Sequence, residues 1–235
     1  MLGNRPIAEE HKMTPPAVCF LKGTLIWTPS GETRIEDLGV NDVVVTARGE
    51  SASIKWVWRR RFEREPGQKW DQKIVPVRVA RSALGPNTPH RDLYLSPYHC
   101  LYLDGVLIPV VDLINKSTIA RCNAEELREI EYFHIKLEHH SVIYAEGAAC
   151  ETLREISAVN SDTLEFEEYR RLYGDRLVDE PAEPVAPMLC YNGGRARLRG
   201  HIRDVVSHVT DVRSKLEIVR DNLKERAQSL GHHSR

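Results

Sequence analysis

The chain has 235 residues and a mass of 26.9 kDa, which is enough for one large domain or two small ones with a hydrophobic core. Its residues are 41% hydrophobic and 29% charged, a composition that excludes wholesale disorder. The formal net charge of −1 argues against a nucleic-acid-binding role for the whole chain. The longest apolar stretch, from Val106 to Ile114, is short and interrupted by Pro109 and Asp112, so we expect no membrane span.

Location in the cell is predicted from the N-terminus and the cysteines. Glu9 and Glu10 lie where a signal peptide requires an apolar run, so classical secretion is not expected, although a dedicated exporter remains open. The cysteines are odd in number and include no close pair, which argues against a disulfide scaffold and a zinc knuckle; they are Cys19, Cys100, Cys122, Cys150 and Cys190. We therefore predict a cytoplasmic protein in which a cysteine is available for thiolate chemistry.

Residues 1–16 are polar and lack periodicity, so we expect a mobile N-terminal tail. Residues 17–151 carry short β-rich runs without alternating helices, which predicts a mainly β domain. The clearest hairpin turns at Asp104-Gly105. The predicted strands are 43–46, 54–58, 74–80, 93–96, 99–103, 106–110, 132–137 and 141–145.

The pattern becomes helical after residue 151. Residues 152–199 are expected to hold a helix over 161–173 and a Pro/Gly-rich crossing segment. Residues 200–235 are expected to form a long helix, whose apolar stripe from Ile202 to Leu230 is interrupted by Arg226. This stripe either packs on the β domain or forms a homodimer through residues 200–230, and its narrow three-four spacing favours the homodimer.

Three blocks in the β-rich region carry the chemistry. Cys19 leads the first strand and is followed by a turn over 28–32, the acidic segment 35–38 and Asn41-Asp42-Val43. The second block is Ser96-Pro97-Tyr98-His99. The third runs from residue 132 through His140 to the turn at 145–147, and we expect its His139-His140 pair at the turn of a hairpin between residues 135–137 and 142–144. In this order the blocks resemble the Hint superfamily of hedgehog autoprocessing domains and inteins. Their motif residues are most similar to those of bacterial Hint domains that are related to, but distinct from, splicing inteins.

The resemblance implies a disc-like all-β Hint fold followed by C-terminal helices, and a self-processing reaction. Cys19 would attack the carbonyl of Val18 and convert the peptide bond into a thioester by an N-to-S acyl shift. His99 would act as the acid and base, because imidazole exchanges a proton near neutral pH. Ser96 would orient the peptide, and His140 would support the site. The substrate is the chain's own N-terminal peptide, and no cofactor is implied.

The end of the third block departs from the splicing inteins. These end in His-Asn, whose asparagine cyclises to release the downstream flank, whereas residues 148–152 here contain neither residue and Asn160 lies too far along. We therefore predict cleavage at Val18–Cys19 without full splicing, with the thioester resolved by water or another nucleophile. Cys150 is either an acceptor for transfer or a buried structural cysteine.

One other interpretation remains open. The segment that precedes Cys19 in this sequence is too short to be a folded partner, and residues 195–235 carry ten basic against five acidic residues. Both observations are compatible with a catalytically silent Hint scaffold that binds another protein. A zinc site built from the His139-His140 pair with His99, His134 and Cys100 is not supported by ligand spacing on any one element, so we predict no metal site.

Overall fold

The computed structural model describes residues 18–154, 164–174, 183–192, 195–197 and 209–232. Within these ranges the chain is mainly β, with antiparallel sheets followed by helices, so the predicted fold class is confirmed. The strands in chain order are β1 (Phe20–Leu21), β2 (Leu25–Thr28), β3 (Gly31–Arg34), β4 (Val43–Val45), β5 (Ser51–Ser53), β6 (Trp56–Glu63), β7 (Val77–Val79), β8 (Leu93–Leu95), β9 (Cys100–Leu103), β10 (Val106–Pro109), β11 (Ile119–Arg121), β12 (Glu129–Lys136), β13 (Val142–Ala145), β14 (Ala148–Glu151), β15 (Cys190–Asn192) and β16 (Arg195–Arg197). The helices are α1 (Leu164–Tyr173) and α2 (Val209–His232).

The first sheet brings the N-terminal cysteine block beside the two later blocks. Its strand order is β11-β7-β8-β1-β12-β6, so the short strand β1 lies between β8 and β12. In this register Phe20 pairs with Leu95 on one side and with Phe133 on the other. Residues that are distant in sequence are therefore neighbours at the end of β1, where Cys19 lies.

The second sheet brings the middle of the domain against its end. Its strand order is β10-β9-β14-β13-β2-β3, and Leu101 of β9 pairs with Cys150 of β14. The predicted hairpin between β9 and β10 is present, with Asp104 and Gly105 at φ +50° and +84°. Positive φ at both central residues is the requirement of a type I′ turn, which Asp-Gly meets at low cost.

One local prediction is wrong. His139 and His140 were expected at the turn of a hairpin between residues 135–137 and 142–144, but β12 belongs to the first sheet and β13 to the second. The histidine pair therefore lies on a connection between sheets. This places His140 in the interior while His139 remains exposed.

Two of the strands that the sequence pattern did not predict, β3 and β14, have a physical reason in common. β3 is polar because it is the edge of its sheet, and β14 is built from small residues although it is buried between β13 and β9. Both lack the β-branched and aromatic residues that mark a strand. The pair β15–β16 lies in the segment that was expected to be irregular, and β5 and β11 are also additional strands.

The C-terminal helix is observed over Val209–His232, and residues 198–208 lie outside the described ranges. Its buried residues Leu216, Val219 and Leu223 join the main hydrophobic core of the β domain. Arg226, the polar position of the stripe, donates a hydrogen bond from Nε to the carbonyl of Ser82. Intramolecular packing thus uses this part of the stripe, and the homodimer stays a prediction to be checked by light scattering. No helix among the described residues is both long and apolar enough to cross a membrane.

Candidate active site

Cys19 is buried at the start of β1 and its backbone is fixed by Ser96. The Cys19 N–H donates a hydrogen bond to the Ser96 hydroxyl at 2.7 Å. The Ser96 N–H in turn donates to the Cys19 carbonyl at 2.9 Å. The nitrogen held by Ser96 belongs to the Val18–Cys19 peptide bond, so the hydroxyl touches the atom that would leave in an N-to-S acyl shift.

The Cys19 thiol is held in its neutral form. Burial raises its pKa well above the ordinary value, while the Arg60 charge and the adjacent Val18 backbone oppose this effect without cancelling it. The side chain lies in an aromatic cluster with Trp56, Trp58 and Tyr132. A base must therefore remove the thiol proton at the moment of attack, since the thiol does not ionise by itself near neutral pH.

His99 lies at the same peptide. Its imidazole is buried, and burial lowers its pKa to about 4, although Glu151 and the backbone of Glu151 and Cys19 favour the charged form. Neither ring nitrogen forms a hydrogen bond of good geometry with a residue that the structure describes. The ring is thus an uncharged base with both nitrogens uncommitted, next to the backbone of Cys19.

A second buried imidazole, His134, lies beside the first. The two ring centroids are 5.0 Å apart, and the Phe20 ring packs 4.2 Å from His99 and 5.9 Å from His134. Burial lowers the His134 pKa well below its ordinary value, and His99 adds to this. Leaving a buried polar group unpaired costs about 1–3 kcal/mol. Two such histidines side by side are more than packing requires, which makes the cluster a candidate functional site.

His140 and Glu151 form a buried pair whose carboxylate acts on His99. His140 Nδ1 accepts a hydrogen bond from the Val185 N–H at 3.1 Å, so in the uncharged ring the proton is on Nε2, which lies 3.4 Å from Glu151 Oε2. Glu151 Oε1 accepts from the Cys100 N–H at 2.9 Å. Burial alone raises the Glu151 pKa, but the contact with His140, the nearby His99 ring and the hydrogen bond from Cys100 together outweigh it, so the pKa is lowered. Glu151 is therefore a buried carboxylate at neutral pH.

The structure brings together the predicted residues Cys19, Ser96 and His99, and places His140 across Glu151 from them. Glu151 was missed because the comparison with splicing inteins directs attention to the absent His-Asn pair. The available signal was a carboxylate directly after the small-residue strand β14. Cys150 is buried, with Sγ 3.6 Å from the Ala148 carbonyl, and burial raises its pKa, which fits a structural cysteine.

A metal cluster at His99, His134 and Cys100 is not formed in the described part of the chain, because their ligand atoms do not converge. Within the described ranges, the group of carboxylate and imidazole atoms that does converge is Glu32, His90 and Glu146. These residues come from three segments other than those that carry Cys19, Ser96 and His99.

Comparison with known proteins supports one family. The similar solved structures include a bacterial intein-like domain from Clostridium thermocellum (12% identity, 58% of this chain and 99% of that one, TM-score 0.41) and a DnaB intein from Synechocystis (15% identity, 57% and 98%, TM-score 0.41). The gp41-1 intein is similar to the same extent (14% identity, 57% and 98%, TM-score 0.41). No curated protein sequence matches the chain. The family model described as "Hint domain" matches residues 18–157, which is more than half of the chain and includes every residue of the candidate site. The chain therefore belongs to the Hint-domain family, the family of hedgehog and intein self-processing domains.

Proposed function

We propose that this domain cleaves its own Val18–Cys19 peptide bond through a thioester, without splicing. The observation that carries the proposal is the pair of hydrogen bonds that joins the Cys19 backbone to Ser96, with the uncharged His99 imidazole at the same peptide. A nucleophile, an orienting hydroxyl and a base thus converge on one bond.

The first step exchanges an amide for a thioester. The Cys19 sulfur forms a bond to the Val18 carbonyl carbon, and the bond between that carbon and the Cys19 nitrogen breaks. His99 takes the thiol proton and delivers it to the departing nitrogen, which becomes the free amine of Cys19. No proton is gained or lost overall, so the base is regenerated.

Glu151 supports this transfer electrostatically. As His99 takes the proton it becomes an imidazolium, and the Glu151 carboxylate stabilises that charge in a buried environment where charge interactions are strong. The contact from His140 and the hydrogen bond from the Cys100 amide keep Glu151 ionised and in place. His140 therefore acts as a positioning residue through Glu151.

The second step releases the N-terminal peptide. Water, or an added thiol or hydroxylamine, attacks the thioester carbon. With water, Val18 leaves as a carboxylate and Cys19 regains its thiol. The downstream part stays attached, because residues 148–154 contain no asparagine whose side chain could cyclise.

The test is the intact mass of the purified chain before and after incubation with a thiol or hydroxylamine. The wild type should be converted into a lighter chain that begins at Cys19, with a mass lower by that of the segment Met1–Val18. Cys19→Ala should abolish the loss because no sulfur is available. Cys122→Ala is the matched control, since Cys122 is a partly exposed cysteine on another part of the domain, and it should cleave like the wild type.

Two results would contradict the proposal. Cleavage of the Cys19→Ala variant at the same site would mean that another group is the nucleophile. An unchanged wild-type mass under both reagents would leave the alternative, a Hint scaffold that binds a partner and performs no chemistry.

A further inference from the structure

Three side chains that the cleavage chemistry does not use converge at the edge of the second sheet. Glu32 comes from β3, His90 from the segment between β7 and β8, and Glu146 from the turn between β13 and β14. His90 Nε2 lies 3.2 Å from Glu32 Oε1 and 3.5 Å from Glu146 Oε2. One ligand atom from each residue lies within 4.8 Å of the others.

Glu146 is built into this position. Its side chain is 4% exposed, and its Oε1 accepts a hydrogen bond from the Leu25 N–H at 2.9 Å. Its Oε2 is buried and forms no hydrogen bond with any residue that the structure describes, and it faces the other two side chains. Arg91 approaches Oε2 only to 4.0 Å, and its side chain is largely exposed. A buried carboxylate oxygen without a donor is costly, so its orientation toward the cluster needs a ligand to explain it.

His90 is fixed by the same turn. The backbone N–H of His90 donates a hydrogen bond to the Glu146 carbonyl at 2.9 Å. Its Nδ1 packs over Gly147, where an added Cβ would lie 3.0 Å away. Gly147 has φ +80°, so both its backbone conformation and the space beside it require glycine. The imidazole is thereby held with Nε2 toward the two carboxylates.

The spacing and the donor set match a small transition-metal ion. A tetrahedral ion with bonds of about 2.0–2.2 Å has ligand atoms about 3.3–3.6 Å apart, and the two separations from His90 Nε2 are 3.2 and 3.5 Å. Imidazole nitrogen combined with carboxylate oxygen suits zinc and its neighbours, whereas magnesium and calcium prefer oxygen alone. Glu32 is partly exposed, so a water molecule can reach a fourth position.

We propose that Glu32, His90 and Glu146 bind a divalent transition-metal ion of the zinc type, with water as the fourth ligand. The ion would join the edge strand β3, the segment leading into β8 and the β13–β14 turn. It would stabilise the folded domain, because these three segments meet only in the folded chain. The alternative is a purely electrostatic triad, in which a charged His90 lies between two carboxylates and no metal binds.

The test uses the full chain with Cys19→Ala, so that neither self-cleavage nor the active-site thiol interferes. Titration with Co²⁺ should give visible absorption of a nitrogen- and oxygen-ligated ion without the strong thiolate-to-cobalt band. Zn²⁺ should displace the Co²⁺ and raise the thermal unfolding midpoint. Glu146→Gln, which keeps the acceptor for the Leu25 amide, and the partly exposed Glu32→Gln should each weaken binding at least about tenfold, the low end of what loss of even an outer partner costs.

Glu129→Gln is the matched control, since Glu129 pairs with Arg61 on the first sheet, away from the proposed metal site at the edge of the second, and it should bind Zn²⁺ like the parent chain. Absence of a Co²⁺ spectrum and of a Zn²⁺-dependent midpoint shift would overturn the proposal in favour of the electrostatic triad. A Zn²⁺ response that is unchanged in both Glu32→Gln and Glu146→Gln would also overturn it, because the ion would then occupy another site.

Discussion

The two ends of the Hint domain differ in what they can do. At the N-terminal end, a buried cysteine, a hydroxyl on the scissile nitrogen and an uncharged imidazole meet at one peptide bond. At the C-terminal end, β14 finishes with Glu151 and is followed by Thr152, whose hydroxyl accepts a hydrogen bond from the Ser141 N–H at 2.9 Å. A threonine hydroxyl cannot form a succinimide. In the proposed mechanism, the domain therefore breaks the bond before it and not the bond after it.

The C-terminal end also contributes a side chain to the N-terminal site. The C-terminal end contributes Glu151, whose carboxylate faces the N-terminal chemistry through His99 and is held by His140. In the proposed mechanism, the end of β14 supplies electrostatic support for the first step. We infer that the two ends have become one site for a single cleavage.

The largest effect is expected on the rate of cleavage at the N-terminal end, from the substitution His99→Leu. Removal of the base should slow thiol-induced cleavage about 10²–10⁴-fold, which is the usual contribution of a positioned acid or base. His139→Leu is the matched control because His139 is an exposed histidine on the connection that leads to His140. The rate of mass loss measures both variants, and near-equal slowing in the two would remove His99 from the chemistry.

A smaller effect should appear in the pH dependence of stability. His99 has a pKa of about 4 when folded and about 6.5 when unfolded, so the unfolded chain takes up the proton first as the pH falls. The contribution is fully present above pH 6.5 and should be lost by ~2 kcal/mol at pH 5 and ~3 kcal/mol near pH 4. Urea unfolding of the wild type and of Cys19→Ala/His99→Leu at pH 7 and pH 5 should show a weaker acid loss in the variant. Equal losses would show that His99 is not held uncharged.

The smallest effect is expected at Ser96. Ser96→Ala leaves the buried Cys19 N–H without its acceptor, so the rate of mass loss should fall about tenfold, the equivalent of one net hydrogen bond. Ser96→Thr restores the hydroxyl, so its rate should be close to the wild type. If alanine and threonine behaved alike, the hydroxyl would have no part in orienting the peptide.

The sequence was most informative where motif residues and strand patterns coincide. The order of the three blocks predicted the Hint fold, and Asp104-Gly105 predicted its hairpin, because both depend on local residue choice. The role of Glu151 and the convergence of Glu32, His90 and Glu146 depend on which strands become neighbours, and these residues come from segments far apart in the chain. A local sequence pattern does not indicate which distant segments become neighbours in the fold. The connection that buries His140 was missed for the same reason, since alternation along a strand does not tell which sheet it joins.

The difference between the two ends is tested most directly by labelling both. The full chain is produced with an N-terminal epitope and with an affinity tag after Arg235, and is then incubated with a thiol. We expect two products: the epitope joined to the segment Met1–Val18, and a chain beginning at Cys19 that retains the affinity tag. Cys19→Ala should give neither. A product in which the epitope is joined directly to the affinity tag would show that the C-terminal end is also cut and ligated, and would contradict cleavage without splicing.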